Sequence, residues 1–150
     1  MVDSREKGAR AESVIRDQLR KATGLNWERV PGSGALNEKH GLKGDLYVPN
    51  EKNLYCVEVK HYKDDHLTSS VLTGKNPQVI EWWKQAIRQG IQVSKTPLLI
   101  FKYDRSKVFA AFTEIPSANY RHMLLHIDEY EFFVALLDDY LSNEKPKFIA

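Results

Sequence analysis

Residues 45–60 contain two β-rich runs whose short connection limits how they can pair. The runs cover 45–48 and 54–60, and the residues between them, 49–53, read Pro-Asn-Glu-Lys-Asn. These are turn-forming residues at a length typical of a hairpin loop. The sequence therefore predicts a β-hairpin over 45–60.

The register of this hairpin brings two acids together. If the turn lets Val48 face Tyr55, Asp45 lies opposite Glu58, and directly opposed β-carbons are about 5 Å apart. Two carboxylates at that distance repel by on the order of 1 kcal/mol, and such pairs persist mostly where a cation bridges them. Lys60 shares a strand face with Glu58 because side chains alternate along a strand. The pair is therefore a candidate site for a hard, oxygen-seeking cation, Mg²⁺ or Mn²⁺.

The N-terminal segment predicts an amphipathic helix that supplies a third carboxylate. Asp3 and Glu6 form a capping-box pattern, and apolar residues recur at helical spacing from residue 4 to about 22. The stripe consists of Ala11, Val14, Ile15, Leu19 and Ala22. Glu12 borders this stripe, and Gly8, one turn earlier, would let the helix approach the sheet closely. We expect Glu12 to join the acid pair.

The other elements alternate between strands and helices, which predicts a single α/β domain over residues 1–150. Asn76 and Pro77 supply an N-cap and a first helical residue, whereas 117–126 favours no single structure. The expected elements are a strand at 27–30, a glycine-rich loop at 31–44, a loop at 61–75, a helix at 77–94, hairpin strands at 98–103 and 108–112, an acidic amphipathic helix at about 128–141, and a frayed end at 143–150.

Composition excludes several kinds of protein. Cys56 is the single cysteine, so a disulfide framework and a cysteine-based zinc site are excluded. No apolar run approaches the roughly 20 residues that a membrane span needs, and the polar N-terminus does not resemble a signal peptide. We expect no membrane association and a cytoplasmic location, in a prokaryote or a phage-infected cell.

Charge and motif content narrow the function further. Residues 122–150 hold six acids and two lysines, whereas the preceding residues hold twenty bases and fourteen acids. The excess of bases permits a phosphate-bearing partner, although a solvated surface explains it equally well. The chain has no phosphate-binding Walker loop, no GxGxxG and no GxSxG, so we expect no nucleotide cofactor and no serine hydrolase. His122 and His126 have ligand spacing but no third ligand.

Single residues also have ordinary structural explanations. Acids at strand ends and on helix flanks are usually solvated, and Lys60 and Arg29 fit a surface position equally well. Trp82 and Trp83 have helical core spacing, which favours core packing for at least one of them. The combination of a strand acid, a hairpin return, an acid-x-lysine and a helix acid is much rarer by chance than any one member.

Two sets of motifs resemble known nucleases. Asp45, followed after twelve residues by Glu-Val-Lys at 58–60, resembles the core signature of the PD-(D/E)XK nuclease superfamily. The segments KGxxxE at 7–12 and RVPGSGA at 29–35 resemble archaeal-type Holliday junction resolvases and their phage-borne relatives. The resemblance covers about residues 5–103 and implies a restriction-endonuclease-like fold, a mixed β-sheet flanked by α-helices.

The resemblance also implies roles for individual residues. The catalytic set is Glu12, Asp45, Glu58, Lys60, Ser33 and Gln85. The expected metal ligands are Glu12, Asp45, Glu58 and the carbonyl of Val59. For DNA binding, the resemblance implies Arg29 and Ser33, and positive charge adds Lys7, Arg10, Lys43 and Lys63. Gly44 stands where the signature has its proline, and no motif is matched after Tyr103.

These observations predict a magnesium-dependent endonuclease, a Holliday junction resolvase acting on four-way DNA junctions, with Mn²⁺ able to substitute. A restriction-like or repair nuclease and a non-catalytic DNA-binding module of the same fold stay open. Paired cuts in a four-way junction favour a homodimer, and we expect helix 77–94 with the strand at 108–112 to form its interface.

Overall fold

The computed structural model describes residues 4–31, 42–64 and 67–150, with side chains from residue 8 onward. These residues form seven strands and four helices. The strands are β1 (Glu28–Arg29), β2 (Leu46–Tyr47), β3 (Tyr55–Tyr62), β4 (Thr96–Tyr103), β5 (Phe109–Phe112), β6 (His122–Ile127) and β7 (Tyr130–Leu136). The helices are α1 (Ser4–Thr23), α2 (Ser70–Thr73), α3 (Gln78–Gln92) and α4 (Leu137–Glu144).

All seven strands belong to one mixed sheet in the order β1-β2-β3-β4-β5-β7-β6. β3 and β4 are parallel, and the other neighbours are antiparallel. Parallel neighbours need a crossover, and α3 lies in the connection between β3 and β4. The expected mixed sheet with flanking helices is confirmed.

The predicted hairpin and its register are confirmed. Leu46 pairs with Val57, the register that places Asp45 opposite Glu58. The side chain of Asn53 accepts a hydrogen bond from the Val48 N–H and donates one to the Val48 carbonyl, both at 2.8 Å. This side chain therefore closes the turn.

Helix α1 packs on one face of the sheet through Ala11, Ile15 and Leu19. Val14 and Ala22, which were expected in the buried stripe, are exposed, because the helix buries only a narrow strip against the sheet. A β-carbon added to Gly8 would meet no atom within 4 Å. The approach of α1 to the sheet therefore does not require a glycine at position 8, and the expectation that Gly8 permits it is wrong.

Helix α3 covers the opposite face and begins one residue later than expected. Pro77 occupies the N-cap position that we expected Asn76 to hold. β3 continues to Tyr62, and α2 interrupts the expected loop at 61–75.

The helix at 77–94 and the strand at 108–112, which were expected to form the dimer interface, bury much of their apolar surface within the chain. Trp82 and Trp83 are 3% and 1% exposed, and the ring of Trp83 stacks on Phe132 at 4.6 Å. β5 lies inside the sheet between β4 and β7. Packing within the chain therefore uses part of this apolar surface, whereas Ile91 of the same helix is 73% exposed. The dimer interface stays a prediction.

The helix expected at 128–141 is also wrong. Residues 130–136 form strand β7, and α4 covers only Leu137–Glu144. The spacing of the aromatic and leucine residues fits a helix, but the run Tyr-Glu-Phe-Phe-Val-Ala-Leu is also rich in strand-forming residues. Pairing with β5 and β6 on its two sides decides between them, since it satisfies the backbone of β7 while Phe132 and Val134 become buried.

The C-terminal residues are packed, contrary to the frayed end expected at 143–150. Phe148 is 3% exposed, and its ring lies 5.0 Å from Trp27 and 4.9 Å from Tyr55. Its carbonyl accepts a hydrogen bond from the Leu54 N–H at 2.8 Å. The end of the chain therefore contributes to the same core as α1. Within the described residues, no helix has both the length and the apolar character needed to cross a membrane.

The packing of Phe148 predicts a large loss of stability on truncation. We expect Phe148→Ala to lower the free energy of unfolding by about 3–5 kcal/mol, the usual cost of removing a buried aromatic ring. Urea denaturation measures the change. Ile115→Ala, at a side chain that is 81% exposed, serves as the control and should leave stability nearly unchanged; equal effects of the two substitutions would contradict the packing.

Candidate active site

Asp45 lies directly before β2 and is fixed by three hydrogen bonds. Its N–H donates to the Val57 carbonyl at 2.7 Å, and its own carbonyl accepts from the Val30 N–H at 2.9 Å. Its Oδ2 accepts from the Val59 N–H at 2.7 Å. The carboxyl group therefore has a fixed position against the backbone of β3.

Glu58 is 4% exposed, the one buried charged residue in the described part of the chain. Its Oε1 accepts a hydrogen bond from Gln85 Nε2 at 3.1 Å and lies 3.7 Å from Lys60 Nζ. Its Oε2 is buried with no hydrogen-bond partner among the described residues. A buried carboxylate oxygen without a partner is costly, so this atom calls for a ligand that the described residues do not supply.

Glu12 reaches the same place from α1. Its Oε2 accepts a hydrogen bond from Arg29 Nε at 2.9 Å, which pairs the acid with a side chain that is 45% exposed. Its carboxyl also interacts with that of Asp45. The structure thus brings all three predicted acids together, with Glu12 at the open side and bound to a base.

The pKa values of the two strand acids are raised. Burial raises the pKa of Asp45 most, the negative charge of Glu58 adds to the effect, and the value reaches about 9. Burial also raises the pKa of Glu58, while Lys60 and Asp45 oppose that shift. Asp45 therefore lacks a positive charge that would keep it ionised at neutral pH, and a bound cation would provide it.

The donor set fits a magnesium-type ion held by two carboxylates. The described residues contain no group of three Asp, Glu, His or Cys side chains arranged to hold a metal. Mg²⁺ usually keeps several waters and binds through one or two carboxylates, which matches Asp45 together with the free Oε2 of Glu58. Glu12 would then act through water or through Arg29.

The other expected site residues lie at different distances from this pair. Gln85 contacts Glu58 directly, and Val59 contributes its N–H, with no contact of its carbonyl to the acids among the described hydrogen bonds. Arg10 is two residues from Glu12 and points to the other flank of α1, where it lines a cavity with His61 and Lys102.

The remaining basic residues are only partly placed. Lys43 is half-buried just before the Gly44–Asp45 turn, and Lys63 is exposed just after β3. Ser33 and the side chain of Lys7 lie outside the described residues.

One residue of the site was not predicted. Gln89 Oε1 accepts a hydrogen bond from the N–H of Gly44 at 2.9 Å, next to Asp45. The signal in the sequence was the spacing of Gln85 and Gln89, since residues four apart share a helix face.

Comparison with known proteins assigns this arrangement to a family. Residues 3–149 match the model of a family described as "Phage putative PDDEXK endonuclease". The chain belongs to this family. It is a phage-type PD-(D/E)XK nuclease by descent, which confirms the superfamily predicted from Asp45 and the Glu-Val-Lys segment.

Two known proteins are similar to this phage PD-(D/E)XK chain. Protein D14 of Escherichia phage T5 is 43% identical over 150 residues, covering 95% of this chain and 94% of D14. The structure of Hjc from Archaeoglobus fulgidus, a Holliday junction resolvase, matches with a TM-score of 0.44 and 19% identity over 89% of this chain and 87% of Hjc.

The raised pKa of Asp45 predicts how metal-free stability depends on pH. The folded-state pKa is about 9 against an ordinary value of 3.8, so between these values the folded protein holds a proton that the unfolded chain has released. Stability contributed by this proton is complete at low pH and is lost as the pH rises through the folded-state pKa. Asp45→Asn keeps an acceptor for the Val59 N–H but cannot ionise. We therefore expect its free energy of unfolding, measured in urea with EDTA, to fall less between about pH 5 and pH 9 than that of the wild type.

Glu51→Gln is the matched control, because Glu51 is exposed in the hairpin turn. Its stability curve should run parallel to the wild-type curve. A similar parallel curve for Asp45→Asn would mean that Asp45 is ionised in the metal-free folded protein and would contradict the account.

Proposed function

We propose that this family member is a divalent-metal-dependent DNA endonuclease that resolves four-way DNA junctions in the cytoplasm of a phage-infected cell. The observation that carries the catalytic part is the buried Asp45–Glu58 pair, with an unpartnered Glu58 oxygen and Lys60 beside it. Family membership supports endonuclease activity. The KGxxxE and RVPGSGA segments, which resemble junction resolvases, support the choice of substrate.

In the proposed mechanism, Asp45 and Glu58 would hold Mg²⁺, and Mn²⁺ could substitute. The chemistry supplied by such an ion when bound would be a lowered pKa of a water molecule and stabilisation of charge on a phosphoryl oxygen. Gln85 fixes the orientation of the Glu58 carboxyl through its 3.1 Å hydrogen bond. Lys60 Nζ, 3.7 Å from the same carboxyl, orients the attacking water and offsets negative charge at the scissile phosphate.

The DNA contact is proposed to lie on the basic side of this site. Arg29 is exposed and lies next to Glu12, where its guanidinium can pass from the carboxylate to a DNA phosphate. The other proposed contacts are Lys7, Ser33, Lys43 and Lys63. Arg10, on the other flank of α1, would contact DNA away from the acid pair. The acidic stretch after residue 122 would repel phosphate and is expected to face away from DNA.

Loss of either strand acid should separate binding from cleavage. We expect Asp45→Asn and Glu58→Gln to abolish cutting of a labelled four-way junction in Mg²⁺, because each removes a metal ligand. Binding should persist, since neither change adds a negative charge near the phosphate. Gel analysis of cleavage and gel-shift titration of binding measure the two effects.

The same assay tests the substrate. Wild-type protein should cut four-way junctions faster than duplex or single-stranded DNA, and EDTA should stop all cutting. Preferred cleavage of plain duplex would favour the restriction-like or repair nuclease. Absence of cleavage in both Mg²⁺ and Mn²⁺, with binding intact, would leave the non-catalytic module as the better description.

Arg29 should contribute mainly to phosphate contact. We expect Arg29→Ala to weaken junction binding and cleavage and to reduce the slope of log affinity against log salt by about one contact. Arg121→Ala removes the same charge at the opposite edge of the sheet, next to β6, and should leave the salt slope unchanged. Identical slopes for wild type and Arg29→Ala would remove Arg29 from the DNA surface.

Paired incisions predict a homodimer. A four-way junction presents two symmetry-related strands, and a two-fold dimer places one site on each. Sedimentation at micromolar concentration should therefore give a dimer, free or bound to a junction. A strict monomer in both states would exclude the resolvase and favour a nuclease that makes single cuts.

A further inference from the structure

Gly44, directly before Asp45, has a backbone conformation that no other residue fits. Its φ is +83°, and a β-carbon placed on it would lie 2.5 Å from the Val57 carbonyl oxygen. Proline fixes φ near −65°, so the residue that gives the superfamily signature its first letter is excluded here. Replacement of the signature proline by Gly44 therefore changes the local backbone conformation as well as the side chain.

The glycine also provides a hydrogen-bond donor that proline lacks. The Gly44 N–H donates to Gln89 Oε1 at 2.9 Å. Gln89 lies on α3, which is anchored in the core by Trp82, Trp83 and Ala86. The turn that precedes Asp45 is thus tied to a rigid helix 45 residues away in the sequence.

Two glutamines of α3 therefore reach both halves of the acid pair. Gln85 donates to the Glu58 carboxyl, and Gln89 accepts from the residue before Asp45. They are four residues apart and share one face of the helix. One turn of α3 thus contacts both Glu58 on β3 and the residue before Asp45, which leads into β2.

We propose that Gln89 is a positioning residue of the site. By holding the Gly44 N–H it sets where Asp45 stands relative to Glu58, and so the separation of the two carboxyl groups that a divalent ion must bridge. This inference deepens the proposed function and rests on it. The described hydrogen bonds of Gln89 reach Gly44 and not the acids themselves, so its effect passes through the backbone of Gly44 and Asp45.

The test compares Gln89→Met with Gln92→Met. Methionine has nearly the length of glutamine but no strong acceptor, and Gln92 is an exposed residue of the same helix. Amide hydrogen exchange at Gly44, followed by NMR in metal-free protein, reads out the hydrogen bond itself. We expect faster exchange at Gly44 in Gln89→Met and wild-type exchange in Gln92→Met.

Metal binding and kinetics read out the consequence. For Gln89→Met we expect Mn²⁺ affinity, measured by calorimetry without DNA, and kcat on a four-way junction each to fall about 10-fold, the usual effect of removing a group that supports a metal ligand. KM for DNA should stay within about twofold, because Gln89 makes no proposed DNA contact. Gln89→Glu retains an acceptor for the Gly44 N–H and should restore protection of that amide and much of the Mn²⁺ affinity.

Several results would overturn the proposal. Unprotected Gly44 with wild-type Mn²⁺ affinity in Gln89→Met would show that the hydrogen bond does not position the site, and unchanged protection would show that the bond is absent in solution. If Gln89→Met does not fold, Gln89→Ala is measured instead with the same criteria. If the wild type binds Mn²⁺ but cuts no DNA, the proposed function fails, while the exchange and binding data still decide the role of Gln89.

Discussion

The carboxyl groups of Asp45 and Glu58 lie side by side and are largely shielded from solvent, and many of the surrounding contacts serve to hold them there. Burial raises the pKa values of both Asp45 and Glu58, and the negative charge of Glu58 raises that of Asp45 further. The Val59 N–H and the Lys60 ammonium group partly compensate. The compensation is incomplete, since one Glu58 oxygen has no partner among the described residues. Burial disfavours the charged forms of these carboxyl groups, and a bound cation would stabilise them. Such a pair is typical of a metal-dependent active site.

The topology of the sheet explains how the helices reach this pair. Because β3 and β4 are parallel, the chain must cross over a face of the sheet between them, and α3 lies in that crossover. The crossover places Gln85 and Gln89 against β3 and the start of β2. Helix α1, on the other face, supplies Glu12 near the open edge, where Arg29 of β1 pairs with it. The site therefore combines a side packed against the buried helix α3 with a more open side at Glu12 and Arg29.

Local patterns in the sequence predicted the central part of this arrangement. The five-residue turn limits the register of the hairpin, so Asp45 and Glu58 could be placed opposite each other without knowledge of the rest of the chain. The residues from 130 to 136 could not be assigned in the same way. Their aromatic spacing fits a helix, and the strand forms because β5 and β6 lie on its two sides, partners that a local pattern does not reveal.

Long-range contacts account for the other differences. Phe148 is buried by Trp27 and Tyr55, and the contact between Gly44 and Gln89 depends on the crossover. Neither has a periodic signal in the sequence. The sequence shows that glycine replaces the signature proline at position 44. It does not show that the Gly44 N–H donates a hydrogen bond to Gln89, because that residue lies on a helix much later in the chain.

The central claim is that Asp45 and Glu58 form a divalent-cation site. A crystal grown with Mn²⁺, examined by anomalous diffraction at the manganese edge, tests it most directly. The account predicts a strong anomalous peak within about 2.3 Å of a carboxylate oxygen from each residue, with Lys60 and Gln85 in place around Glu58. A well-ordered site with no peak between the two carboxyl groups, at a Mn²⁺ concentration that supports cleavage, would contradict it.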